Sequence, residues 1–279
     1  MTSYQLSKPQ LNRFNTFGYL SLPGLMSNCI QKIIDAFEEV WAERGGGHHG
    51  QSHDGKRRSC IVPFIDQHER LCALLDDPRI EDLLNSLLGE GWNYTGSDGN
   101  YYAGDTNWHS DGYTKQIRYT KIAFYLDHLT RDTGCLRVIP GSHRQGEEYS
   151  ETLEADARNS EEAWGLKGSE VPAVALETEP GDIVVFQHNL KHAAFGGSER
   201  RRMFTINCCE RVNQDQIPML RKNLEGLARF WVDRAYGEKM IATANDQRMV
   251  HLEQVLANDD HLAALSAKAR EEMEEPSRG

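Results

Sequence analysis

The sequence predicts a mainly β domain, a sandwich or barrel core over about residues 90–210 with helices packed around it. Three observations predict it. Short strand-like runs separated by turn residues recur between Trp92 and Cys209. Apolar residues at helical spacing dominate on either side of that stretch. No repeat, low-complexity linker or composition break divides the 279 residues, so a single domain spanning 1–279 is expected, long enough to bury a sizeable core.

Lys8–Asn15 reads as a short polar helix. Phe17–Gly24 alternates as a strand does and ends in Pro23-Gly24. Ile30, Ile33, Ile34, Phe37, Val40 and Trp41 then recur three and four apart, which predicts an amphipathic helix over about 28–43. Residues 45–58, with Gly45-Gly46-Gly47 and Lys56-Arg57-Arg58, read as a solvated loop, the alternative being a lid that carries cations to an anionic substrate. Ile61–Ile65 is a candidate strand. His68–Leu75 and Arg79–Leu88 are helices interrupted at Pro78 and ended by Gly89. The strand-like runs are Trp92–Thr95, Gly99–Gly104, Tyr119–Leu126, Leu136–Ile139, Ala173–Glu177, Ile183–Phe186 and Met203–Cys209, with an acidic excursion of no clear period at Gln145–Glu170. Helices return at Met219–Gly237, Glu238–Leu256 and His261–Glu274.

A formal net charge of −11 argues against nucleic acid as a partner, because nothing offsets phosphate repulsion globally. The 6 cysteines contain no Cys-x-x-Cys pair, so neither a zinc framework nor a disulfide scaffold is expected, and a cytoplasmic protein with reduced thiols is. No apolar run approaches membrane-spanning length.

Asn107-Trp108-His109-Ser110-Asp111-Gly112 is the stretch that carries chemistry. Side chains two apart on an extended segment point the same way, so His109 and Asp111 can grip one face of a metal ion. A downstream histidine, His192 or its competitor His188, would complete a two-histidine, one-carboxylate triad. Such a triad suits Fe(II) and leaves coordination positions open. His143, in a Pro-Gly-Ser-His turn, and His128 read as structural.

Further motifs follow in order: Gly134-Cys135-Leu136-Arg137-Val138-Ile139-Pro140-Gly141-Ser142-His143, then Pro180-Gly181-Asp182 leading to His192, then Arg200-Arg201-Arg202. With the Phe14-x-x-x-Gly18-Tyr19 opening and Leu22-Pro23-Gly24, the chain resembles the phytanoyl-CoA dioxygenase family of Fe(II)/2-oxoglutarate-dependent oxygenases over roughly 14–210. The resemblance implies a double-stranded β-helix (jelly roll, cupin-like), with His109, Asp111 and His192 as iron ligands and 2-oxoglutarate and O2 as co-substrates. It places the 2-oxoglutarate carboxylate on Arg201, with Arg202 as runner-up, and strand parity decides between them. Tyr102 and Trp108 are assigned to the surroundings of the cofactor. Asp111 fills the position that family halogenases leave small, which implies a hydroxylase releasing succinate and CO2, with no catalytic group beyond the metal site.

The substrate reading rests on less. The polar, glycine-rich stretch 96–106 suits a small polar substrate and is similar to members that hydroxylate aminoalkylphosphonates such as 2-aminoethylphosphonate. Tyr101 and Tyr113, with Lys115, Arg118 and Arg57, are the candidate substrate contacts, and Lys121 and the rest of the Lys56–Arg58 loop could likewise hold an anion. The alternatives are hydroxylation of another small amine, amino acid or natural product, a non-catalytic metal-containing jelly-roll binding protein, or a metal-dependent hydrolase or isomerase. The C-terminal helices are a candidate dimer interface.

Overall fold

The structure is a computed structural model and describes residues 4–112 and 114–279. Its strands are β1 (Tyr19–Leu22), β2 (Ser59–Ile61), β3 (Asn93–Gly96), β4 (Gly99–Tyr102), β5 (Thr106–His109), β6 (Tyr119–Tyr125), β7 (Leu136–Val138), β8 (Val174–Leu176), β9 (Ile183–Gln187), β10 (His192–Ala194) and β11 (Arg201–Cys209). The larger sheet runs β1-β9-β6-β11-β4-β2, with β3 also paired to β11, and the smaller runs β5-β10-β7-β8. Every pairing is antiparallel. The sheets pack face to face as a jelly roll that does not close into a barrel.

The larger sheet is buried on both faces, which explains its nearly continuous apolar strands. Along β9, Val184 and Phe186 face the smaller sheet while Ile183 and Val185 face the helices. On β6 the corresponding sets are Ala123 and Tyr125 against Ile122 and Phe124. The helix-side layer is supplied by α1 (Lys8–Phe17), α2 (Ile30–Glu43), α3 (Glu69–Cys72) and α4 (Pro78–Leu88). Helix α1 starts at a capping box of Ser7 and Gln10, and Gly18 ends it at φ +86°. Helix α2 buries Ile33, Phe37, Val40 and Trp41, and Phe37 packs on Phe64 with ring centroids 5.1 Å apart. At Gly99 a β-carbon would lie 1.9 Å from the Phe64 ring, so glycine is required there by close approach.

The acidic excursion is helical: α5 (Glu148–Asp156) and α6 (Ser160–Trp164) cover the outer face of the smaller sheet. Ala157 and Val171 pack there against Trp108, Ala193 and Phe195. After the sheets come α7 (Ile217–Leu224), α8 (Glu238–Ala242), α9 (Asp246–Leu256) and α10 (Leu262–Glu272). The single helices expected over 219–237 and 238–256 are broken. A 3-10 turn at Glu225–Phe230 ends in Trp231 at φ +61°, and Asn245 caps α9 afresh. The expected strand at Ile61–Ile65 is shifted to Ser59–Ile61, because Pro63 and the 3-10 turn at Ile65–Gln67 end it. Among the described residues no helix is long and apolar enough to cross a membrane, and all six cysteines are free.

Candidate active site

Strands β5 and β10 are only four and three residues long, yet their register sets His109 directly opposite His192. His109 ends its strand and Asp111 lies just beyond it, in a turn held by two hydrogen bonds. The Asp111 N–H donates to the His188 carbonyl at 2.9 Å, and the Ser110 hydroxyl to the Asn189 carbonyl at 2.9 Å. Facing ligand atoms of His109, Asp111 and His192 all lie within 4.8 Å of one another. A carbonyl can only accept. The Nδ1 of His109, 2.8 Å from the Asn107 carbonyl, and that of His192, 2.9 Å from the Leu190 carbonyl, therefore carry the protons. Each Nε2 is left with a lone pair aimed at the cluster, the tautomer a metal ligand needs.

Electrostatics favour the same state. Burial pushes the His192 pKa down to about 3, so its imidazole is neutral at physiological pH. Burial alone would raise the Asp111 carboxyl, but the Lys121 ammonium beside it outweighs that and holds it well below the usual carboxylate range. Lys121 Nζ is 2.8 Å from Asp111 Oδ2. The donor set of two imidazoles and one carboxylate with open positions fits Fe(II).

Behind the triad a cavity of about 830 Å³ runs between the sheets. Alternation along β11 turns Arg201, Met203, Thr205 and Asn207 into it, while Phe204, Ile206 and Cys208 face the helices. Arg202 shares that outer parity. Its guanidinium binds Asp127 at 2.6 Å and Glu38 at 3.0 Å. Arg201 is 3% exposed and lies over Tyr102 at 5.3 Å, and its Nη1 is buried with no hydrogen-bond partner. A β-carbon at Gly134 would sit 1.7 Å from that Nη1, and one at Gly197 2.6 Å from it. An unsatisfied, dehydrated guanidinium in a glycine-walled cradle fits a ligand carboxylate.

Tyr102 lines the cavity as expected. Trp108 also borders the cavity, whereas Tyr101 falls on the opposite parity and does not. The Trp108 indole points away from the triad and donates to the Gly168 carbonyl at 2.8 Å. Tyr101 stacks on Trp41 at 4.0 Å, and its hydroxyl donates to Glu38. Arg118 lies outside the cavity on Glu210, Arg57 pairs with Asp54 and Glu275, and Lys115 is exposed beside Gly146. Tyr113 lies outside the described residues. His188 lines the cavity but is not part of the ligand cluster.

The cavity also takes in Arg58 and Lys121, two of the cations that the sequence offers as holders of an anion, and adds Asp98, which carried no assigned role. Arg58 reaches in from the loop just before β2, 3.2 Å from Asp98, and stands 4.4 Å over Tyr102. Asp98 and Lys121 line the same wall. The 217–230 segment, with Asn223, Leu227 and Phe230, roofs the cavity.

A family model described as phytanoyl-CoA dioxygenase (PhyH) matches residues 14–204. A methylphosphonate hydroxylase of Gimesia maris is 26% identical over 175 residues, 53% of this chain and 66% of the relative, just under two thirds of its length. A 2-aminoethylphosphonate dioxygenase from uncultured bacterium HF130_AEPn_1 is 25% identical over 220 residues, 71% of this chain and 80% of the relative. Among solved structures, the α-ketoglutarate-dependent carbocyclase SnoK from nogalamycin biosynthesis superposes with a TM-score of 0.59 at 20% identity, covering 75% of this chain and 87% of its own. EctD from S. alaskensis with 2-oxoglutarate and 5-hydroxyectoine gives 0.57 at 22%, covering 75% and 78%. These likenesses show a shared fold.

Proposed function

Because the chain belongs to the phytanoyl-CoA dioxygenase family, we propose that it is an Fe(II)- and 2-oxoglutarate-dependent hydroxylase of a small polar substrate. The observation that carries this reading is a pairing of sites. A convergent His109–Asp111–His192 cluster and a buried guanidinium with an unpartnered Nη1, Arg201, line one cavity. His109, Asp111 and His192 would hold the iron, and Arg201 the far carboxylate of 2-oxoglutarate. When bound, the iron, 2-oxoglutarate and O2 supply oxidative C–H hydroxylation, with succinate and CO2 as co-products.

The chain's own contribution is position and exclusion of water. The Asn107 and Leu190 carbonyls fix the two imidazoles in the ligating tautomer. Lys121 keeps Asp111 ionised. Arg201, packed over Tyr102, is 3% exposed, so a charged partner there meets little competition from water. No general acid or base is needed beyond the metal site. The free cysteines suit a reducing, cytoplasmic setting.

For the substrate we favour a small phosphonate. Two relatives named for phosphonate chemistry support it, as does a cavity wall that carries Arg58 and Lys121. The first test is anaerobic titration of the Fe(II) protein with 2-oxoglutarate. A weak visible charge-transfer band is expected in the wild type and not in His192→Ala. Succinate release would then be scored with methylphosphonate and 2-aminoethylphosphonate. An iron-loaded wild type with neither a band nor 2-oxoglutarate binding would leave a metal-containing binding protein in place of an oxygenase.

A further inference from the structure

Between the metal cluster and the loop before β2 the cavity wall carries four charges in alternating sign: Asp111, Lys121, Asp98 and Arg58. Asp98 is well supplied with partners. The Arg58 guanidinium reaches it at 3.2 Å, the Asn100 amide at 2.6 Å, and the Thr205 hydroxyl also donates to it. Lys121 differs. Its ammonium has three donors, and its one ion pair among the described residues is with Asp111 Oδ2 at 2.8 Å, on a side chain that is 14% exposed. It projects into the cavity from β6, opposite Asn207 on one neighbouring strand and Phe186 on the other.

Without a metal the four charges cancel. Binding a dication changes the balance, because Asp111 has a single negative charge and cannot neutralise both a metal ion and Lys121, whichever oxygen it offers. On the reading above, the metal is balanced by Asp111 and one 2-oxoglutarate carboxylate, and Arg201 by the other carboxylate. One positive charge remains on Lys121 and Arg58, which share Asp98, and of the two it is Lys121, 14% exposed, that stands beside the metal cluster. An uncompensated buried ammonium is costly and draws in an anion.

We infer that Lys121 is the receptor for an anionic group of the substrate, held in reserve by Asp111 and released for that role when Asp111 takes up the metal. The inference rests on the hydroxylase reading and deepens it by assigning the anionic end of the substrate, phosphonate or carboxylate, to one residue. Lys121 is a positioning group for substrate and takes no part in ligating the metal.

The test uses the full-length protein with Zn(II) as a redox-inert metal and methylphosphonate as the anion probe, both followed by calorimetry. Zinc affinity is measured against a chelating dye. Wild-type protein loaded with zinc and 2-oxoglutarate should bind methylphosphonate about tenfold or more tightly than zinc-free protein, as expected when a charge-assisted hydrogen bond is made available. Lys121→Met should lose that gain while its zinc affinity rises, since a cation beside the dication has been removed, and Lys121→Arg should keep most of the gain. 2-Oxoglutarate binding should be unchanged in Lys121→Met.

A fall in zinc affinity together with probe affinity would make Lys121 a mere prop for Asp111 and overturn the proposal. A variant that loses 2-oxoglutarate instead of methylphosphonate would overturn it by assigning Lys121 to the co-substrate. Wild type that binds 2-oxoglutarate but shows no zinc-dependent gain for methylphosphonate overturns the proposal and leaves the hydroxylase reading intact. Wild type that binds no 2-oxoglutarate overturns both.

Discussion

Arg201 and Arg202 are adjacent, identical in chemistry and opposite in orientation, so exchanging each for leucine separates binding from folding. Arg201 offers a guanidinium whose Nη1 is dehydrated and unpartnered. Two charge-assisted hydrogen bonds to a carboxylate there are worth about 1.5–3 kcal/mol each. Arg201→Leu should therefore weaken 2-oxoglutarate binding by at least about 3 kcal/mol, roughly a hundredfold in Kd. It should cost the ligand-free protein little, because a buried guanidinium lacking a full set of partners is replaced by an apolar side chain of smaller volume. Arg202 is engaged in the folded protein itself: its guanidinium bonds to Asp127, Glu38 and the Leu126 carbonyl. Asp127 and Glu38 are 27% and 36% exposed, so solvent screens these pairs, and Arg202→Leu should cost about 1–2 kcal/mol of stability. Its 2-oxoglutarate affinity should stay within about threefold of wild type, since the outer face of β11 does not reach the cavity. Calorimetric titration of the zinc-loaded variants and urea unfolding of the ligand-free ones read the two quantities independently. Loss of 2-oxoglutarate binding in Arg202→Leu, with Arg201→Leu unaffected, would refute both the register and the assignment.

Gly134→Ala should act on the same cradle from outside the ligand set. Its β-carbon displaces the Arg201 guanidinium, and at φ +89° it adds about 1–2 kcal/mol of backbone strain. Thermal unfolding should show that cost, and titration a drop in 2-oxoglutarate affinity of about tenfold or more. An unchanged Kd would mean that Arg201 is not the receiver. Gly99→Ala should drive a methyl into the Phe64 ring and destabilise the core by about 1–3 kcal/mol or more without altering the metal cluster. Stability equal to wild type in urea would contradict the packing described for β4. Burial lowers the pKa of His143, so the unfolded chain, with a pKa near 6.5, takes up a proton that the folded chain refuses. Stability from this group is complete above about pH 6.5 and is lost as pH falls below it, at up to about 1.4 kcal/mol per pH unit. His143→Gln should flatten the fall in urea midpoint between neutral and mildly acidic pH, and an unaltered slope would rule the histidine out as its source.

What the sequence disclosed follows from what short-range pattern can encode. The His109-x-Asp111 pair and His192 were identifiable because the metal constrains residue type and order. The strands bearing two of these ligands were missed, since β5 and β10 are too short for periodicity to register. Parity defeated the assignment of Tyr101, and it turns the Trp108 indole outward although that residue still borders the cavity. Each sits one position from a cavity-facing neighbour, and in a strand one position is the other side of the sheet. The same rule decides between Arg201 and Arg202 once the pairing of β11 with β4 is known, and no property of the Arg-Arg-Arg run itself does so. Lys121 is legible as a cation able to hold an anion and Asp98 as part of a polar stretch, but nothing local makes them neighbours in one cavity wall. Only the second sheet and the helical roof put them in an interior. The helical excursion at 148–164 lacked period because it rests one shallow side on the smaller sheet and exposes the rest.

The roof over the cavity lies beyond the stretch shared with the family. The family match ends at residue 204, within the last strand, whereas the cavity is closed by Asn223, Leu227 and Phe230. Ligand cluster, arginine cradle and charged wall thus lie within the matched stretch, and the surface that meets whatever enters above them lies past its end. Grafting a different 217–231 segment onto the same two sheets would be a route to altered selectivity that leaves the reactive centre as it is.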